Sequence, residues 1–326
     1  MKRMKTITTL LLAGLMLFGL VACSLEEAAE TDAETTPEAT EGETEPAVTT
    51  AEITTAAAAT AAETTAAETT APEPAPEPIT LKIVTANVQN ANYDKSGEPT
   101  LDSKYRKLAA AFSAKNPDLV FLPECGTAGA AEEIRSRMAN ASSYEVVAGE
   151  GANVMMLYNT DVFALVDKGC LQIGAKDDAN GSNYDRHLVW ARLRHKESGT
   201  PMVVAPIHVD YAMTACKEQI NTIVFYLKNN FPKIPFILGG DFNQEMRTVG
   251  NTALVTEGYQ NAGTTATAKI NGNESTFPEK GIVIDFLWYK SGMAYTVKAD
   301  KYEVIMDALP TDHRPIYVEL TITKQQ

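Results

Sequence analysis

Six apolar runs in this chain end in residues able to do acid–base or metal chemistry. "ITLKIVTANV" (79–88) gives way at Asn87, "LVFL" (119–122) at Glu124, and "VVAPIHV" at His208, with Asp210 beyond. "IPFIL" (234–238) runs into "GGDFNQ", which carries Asp241 and Asn243. Asp285 lies inside "GIVIDFLWY", and Asp312 and His313 stand just before "RPIYVEL". One polar residue at a strand end is ordinarily a turn former or a cap. Here two of the four histidines and four carboxylates take such positions. Carboxylates gathered in one place repel unless a cation neutralises them. Hard oxygen ligands without cysteine suit Mg²⁺, Mn²⁺ or Ca²⁺ rather than a zinc cage. Asp241 and Asn243, two apart, share a strand face because the side-chain period is two. The two glycines before them permit a sharp turn or a close approach.

The elements that must position these groups can be read from periodicity. "LDSKYRKLAAAFSAKNPD" places Leu101, Tyr105, Leu108 and Phe112 at helical spacing and stops at Asn116-Pro117. "AAEEIRSRM" predicts a second helix. "TACKEQINTIVFYLKNNFP" predicts a third, with Ala215, Ile220, Ile223, Val224 and Leu227 near one face. "NVMMLYN" is a strand, and "HLVWARLRHKESGTPMVVAPIHV" reads as a hairpin about "KESGT". Some strands are apolar throughout and others alternate. Two mixed sheets packed face to face, each covered outside by helices, satisfy both patterns; a plain doubly wound sheet is the alternative.

"TANVQ", "PDLVFLPE", "IHVD", "GGDFNQ", "IDFLW" and "TDHRPIYVEL" follow one another in this order across residues 79–326. In this the chain resembles the endonuclease/exonuclease/phosphatase superfamily, which includes deoxyribonuclease-like nucleases, abasic-site endonucleases, sphingomyelinases and inositol-polyphosphate phosphatases. The resemblance implies a four-layer α/β sandwich and Mg²⁺-dependent cleavage of phosphoester bonds. It implies that Glu124 binds the metal, with Asn87 beside it and Asp312 completing the metal side. Asp241 would orient or deprotonate the attacking water, and Asn243 would hold that water or a phosphate oxygen. His313 would contact the phosphate, with Asp285 on its other ring nitrogen. His208 would be a second phosphate ligand or proton donor, and Arg186 would reach the phosphate. Pro123 stands where the family often has glutamine, and Thr311 where it commonly has serine.

Several residues read more simply. His187 and His195 flank a strand and a turn and are not expected in the site. Arg186, Trp190, Arg192 and Arg194 share one strand side, expected to be a solvated outer face. Tyr93, Tyr158 and Trp288 read as packing residues, Asp210 as a cap for the following helix, and 262–277 as a surface loop that could border the cleft. Cys125, Cys170 and Cys216 match no zinc spacing and read as buried free thiols, with one disulfide pair also open.

The N-terminus is of another kind. Lys2, Arg3 and Lys5 precede an apolar stretch from Ile7 to Ala22, the pattern of an export signal. "LVAC" (20–23) resembles the bacterial lipobox, which implies a lipidated Cys23 and tethering to the outer face of a membrane. Residues 23–78 are built from Ala, Thr, Glu and Pro and have too few large apolar side chains to order. They are expected to form an extended linker. Residues 1–78 hold 14 of the 42 acidic residues and 3 of the 28 Lys and Arg, so 79–326 carries a net charge near −3. That weakly argues against sequence-blind DNA binding, which wants a basic face. The expected protein is thus a monomeric, tethered, metal-dependent phosphoester hydrolase acting on nucleic acid, a phospholipid headgroup or a sugar or inositol phosphate. A non-catalytic module on the same fold and a solute-binding lipoprotein are the rival expectations.

Overall fold

Apolar runs of five or six residues followed by helices of matching amphipathy dictate strand–helix–strand crossovers, while the short "KESGT" link dictates a hairpin. The computed structural model describes residues 77–89, 100–307 and 310–325. The proposed signal, Cys23, nearly all of the linker and Tyr93 lie outside the described residues. In chain order the elements are β1 (Ile79–Thr85), α1 (Leu101–Lys115), β2 (Leu119–Pro123), α2 (Ala128–Arg135), β3 (Tyr144–Val147), β4 (Val154–Asn159), β5 (Phe163–Gly174), β6 (Arg186–His195) and β7 (Pro201–His208). They continue with α3 (Met213–Asn230), β8 (Phe236–Asp241), α4 (Thr252–Thr256), β9 (Gln260–Asn261), α5 (Ala262–Thr265), β10 (Ala268–Ile270), β11 (Asp285–Lys290), β12 (Tyr295–Val304) and β13 (Ile316–Lys324).

The strands form two mixed sheets, ordered β10-β12-β13-β1-β2-β4-β3 and β5-β6-β7-β8-β11-β9. β1 pairs parallel with β2 across the α1 crossover, and β7 pairs parallel with β8 across α3. Helix α1 starts on Thr100, whose side chain accepts from Ser103 N, and ends on Asn116 in the left-handed region. Leu81, Ile83, Phe121, Val204, Ile237 and Leu287 fill the space between the sheets. Leu108, Phe112 and Ile134 cover the outer face of the first sheet, and Ile220, Ile223, Val224 and Leu227 that of the second. Each central strand is therefore buried on both faces, at roughly 1.5–3 kcal/mol per large aliphatic side chain. The α/β sandwich reading holds.

Three expectations change. The outer side of β6 is not solvated: Leu188 and Trp190 are buried under α3, with Trp190 against Phe231 at 4.8 Å and Tyr226 at 6.3 Å. Only Arg194 on that side is exposed. Residues 262–277 are not simply a surface loop, for they contain α5, β10 and the fully buried Thr276. The three cysteines are free, but Cys170 is exposed, whereas burial pushes the Cys125 and Cys216 thiols up to about 12.

Candidate active site

The register of the second sheet sets three chemical residues abreast. Asp241 pairs with His208 on β7 and with Asp285 on β11. Neighbours in register point the same way, so the two carboxylates and the imidazole converge. The glycines before Asp241 make this possible. A Cβ on Gly239 would lie 2.6 Å from the Phe121 ring of the facing sheet. A Cβ on Gly240, whose φ is 151°, would lie 2.0 Å from the Ile207 carbonyl oxygen.

The first sheet contributes from the other side. Backbone bonds from Ala86 N to Phe121 O and Val88 N to Pro123 O carry the β1–β2 pairing past the strand ends, bringing Asn87 and Glu124 alongside. Gln89, Glu124 and Asn243 all take positive φ, at 45°, 57° and 51°, a conformation non-glycine residues adopt sparingly. Such strain, gathered at one place, aims side chains.

The Asn87 carboxamide nitrogen donates to Glu124 Oε1 and to Asp241 Oδ2, each at 3.0 Å, while its oxygen accepts from Gln89 N. Asn87 therefore bridges the two carboxylates as a donor, beside the position that the resemblance gives the metal. His208 Nε2 stands 3.8 Å from both Glu124 Oε1 and Asp241 Oδ2, and His313 Nε2 3.7 Å from Asp241 Oδ2. Asp241 Oδ1 accepts from Asn243 N at 2.7 Å. The Asn243 carboxamide nitrogen donates to Val209 O, which leaves its oxygen, an acceptor, to meet a water.

Two histidines in one site are held in opposite states. His313 Nδ1 bonds Asp285 Oδ2 at 2.8 Å. Burial alone would lower its pKa, but Asp285, helped by Asp241 and Asp312, raises it to about 9. His208 Nδ1 faces Arg186 Nη1 at 2.8 Å and the Asn153 side chain at 3.3 Å. Burial, then Arg186, hold it well below the usual histidine value. A guanidinium can only donate, so His208 Nδ1 accepts and Nε2 carries the hydrogen. His208 is thus a neutral donor aimed at the carboxylates. Burial, then the Asp285 carboxylate, push the Asp241 carboxyl up to about 7 against the pull of His313.

All nine candidate site residues can now be placed. Asn87, Glu124, Arg186, His208, Asp241, Asn243, Asp285 and His313 meet in one contact network. Asp312 is exposed and belongs to neither acidic–histidine group, Glu124–His208–Asp241 or Asp241–Asp285–His313. Asp210 does not cap α3, whose N-cap is Ala212; it sits buried, 4.0 Å from Arg186. His187 and His195 lie outside both groups. Sequence reasoning missed Asn153, whose only signal was a polar residue heading the apolar run of β4. It also missed Thr276, whose hydroxyl accepts from Ile284 N and Asp285 N, and Phe277, whose ring lies 4.8 Å from that of His313. Thr311 ties the His313 loop to β1 through Asn87 O at 2.7 Å.

Among solved structures, an endonuclease/exonuclease/phosphatase family protein from Bacteroides thetaiotaomicron aligns with a TM-score of 0.64 at 20% identity, over 76% of this chain and 96% of that one. The chain has the endonuclease/exonuclease/phosphatase fold. Mannosyl-6-phosphatase of the same organism aligns at 0.63 and 20%, over 74% and 99%. D. rerio TDP2 in complex with a single-strand DNA product aligns at 0.57 and 16%, over 74% and 98%. No family profile and no curated protein matches the sequence. In this endonuclease/exonuclease/phosphatase fold the cluster described above stands where the ends of the two sheets meet.

Proposed function

We propose that this chain is a divalent-metal-dependent phosphoester hydrolase. The observation that carries the reading is the surround of Asp241 Oδ2: an amide donor, a neutral imidazole and a second imidazole favouring the charged form all within 3.8 Å. The names of two proteins of the same fold, a mannosyl-6-phosphatase and a TDP2 bound to a single-strand DNA product, agree with it. The donor set also fits a cation. Glu124, Asp241 and Asp285 stand against the Arg186 guanidinium and one favoured imidazolium, and Mg²⁺, Mn²⁺ or Ca²⁺ on Glu124 and Asp241 would relieve the cost of holding Asp241 ionised in this buried place. Such a cation would neutralise charge developing on the phosphoryl oxygens.

The chain's own groups divide the remaining work. Asp241, with the Asn243 oxygen, orients a water and accepts its proton. His313, charged and backed by Asp285, meets the anionic phosphoryl group, and the His208 Nε2–H and the buried Arg186 donate to it. The location is part of the proposal: lipidation at Cys23 and the 23–78 linker would hold residues 79–326 off the outer face of a membrane, with Cys23→Ala releasing the protein from the membrane fraction. The activity is tested with bis-p-nitrophenyl phosphate, Mg²⁺ or Mn²⁺, and the Asp241→Ala and His313→Ala variants. Turnover that needs metal and both residues supports the reading. A wild type as inert as its variants, across metals and on DNA, phospholipid and sugar phosphates too, favours a non-catalytic module.

A further inference from the structure

Tyr184 and Tyr211 sit beside this cluster with 55% and 54% of their surfaces exposed, their rings edge to face at 6.4 Å and 66°. Their backbones are fixed from below. The fully buried Asp210 accepts from Asn183 N at 2.8 Å, Asn183 Nδ2 at 2.7 Å and Ala212 N at 2.9 Å. Asp210 N donates to Gln219 Oε1, Gln219 Nε2 to Ser182 Oγ, and Ser182 Oγ to Tyr184 O. Gln244, next to Asn243, donates to Tyr211 O at 2.9 Å. One carboxylate therefore clips the loop before β6 to the loop after β7 and sets the two rings in a corner.

That corner adjoins the reacting groups. The Arg186 guanidinium carbon lies 5.1 Å from the Tyr184 ring centre, and its Nη1 contacts His208. His208 in turn faces Glu124 and Asp241. We infer that Tyr184 and Tyr211 form a subsite for an unpaired nucleobase carried on the phosphoester, an inference that rests on the hydrolase reading. Every base has a flat π-face, and exposed aromatic side chains held beside a cationic group are the usual platform for one. A saturated sugar ring lacks that face. A net charge near −3 over residues 79–326 disfavours sequence-blind binding of a duplex, so the occupant inferred is a mononucleotide unit or a single-stranded end.

Two chromogenic esters with the same leaving group test the inference: the p-nitrophenyl ester of thymidine 5′-phosphate and methyl p-nitrophenyl phosphate. The wild type should favour the nucleoside ester in kcat/KM, and Tyr184→Ala or Tyr211→Ala should each cut that ratio about tenfold, within the range of one base–aromatic stack. Tyr184→Phe and Tyr211→Phe keep the ring and should keep the ratio. Calorimetry with thymidine 5′-monophosphate gives a readout independent of turnover, and its Kd should weaken about tenfold in the alanine variants. Inertness on both esters with intact, tyrosine-dependent mononucleotide binding would remove the hydrolase reading and leave the subsite standing. Ratios and Kd values unchanged in the alanine variants overturn the subsite. So does equal dependence of mannose 6-phosphate binding on the two tyrosines.

Discussion

Replacing Asp241 with asparagine removes one charge from the most crowded point of the cluster. A carboxyl whose folded pKa is raised binds its proton more tightly folded than unfolded, so its ionisation opposes folding. With values of about 7 folded and 3.8 unfolded, the penalty is absent below pH 3.8, grows with pH and is complete, at about 4 kcal/mol, above 7. Asparagine carries none of it. The variant leaves either Asn243 N or Asn87 Nδ2 without its acceptor, which costs about 1–3 kcal/mol at every pH. Between about pH 5 and about pH 8, the stability of Asp241→Asn relative to wild type should therefore rise by about 3 kcal/mol. Urea denaturation in EDTA at both pH values measures this, and hydrolysis of bis-p-nitrophenyl phosphate should drop roughly a thousandfold. A pH-independent stability difference would refute the desolvation argument. A variant retaining more than about a tenth of wild-type turnover would refute the role given to Asp241.

The Asp285–His313 pair makes a second pH statement. His313 is raised, so its stabilisation is fully present below about 6.5 and is lost as pH rises through about 9; Asp285→Asn should flatten that decline and move the alkaline limb of the pH–rate profile down by a unit or more, as activity measured from neutral to alkaline pH will show. Chelation should abolish turnover in the wild type, and Glu124→Gln should raise the Mg²⁺ concentration for half-maximal rate at least about tenfold in a metal titration. Gly240→Ala forces a Cβ against Ile207 O and should destabilise by about 3 kcal/mol or more in denaturant melts, whereas Gly258→Ala, with positive φ but open space around it, should cost about 1 kcal/mol.

What was legible followed from strong local signals. β2 and β8 are apolar at nearly every residue, so "LVFL" and "IPFIL" announced central strands, and their polar ends announced the cluster. β5 was missed because only two of its twelve residues are buried: it is an edge strand with two register shifts, and its Asp167, Lys168 and Gly169 break the apolar alternation. β12 was missed for a related reason, since "KADKYEV" is polar and carries a bulge between Ala299 and Lys301. The states of the two histidines could not be read from sequence. They depend on Arg186 meeting His208 across 22 residues between neighbouring strands of one sheet, and on Asp285 meeting His313 across 28, where the end of one sheet meets the loop that leads into the other.

The contact of Phe121 with Gly239 joins the halves of this centre like a shim between two plates. Asn87 and Glu124 ride on one plate, and His208, Asp241 and Asp285 on the other. Thickening or thinning that shim slides the plates, and a slip of about 1 Å is enough to lose a hundredfold in rate. Turnover is then a gauge of how tightly the sandwich is closed, and repacking in its middle layer should register in catalysis before it registers in melting.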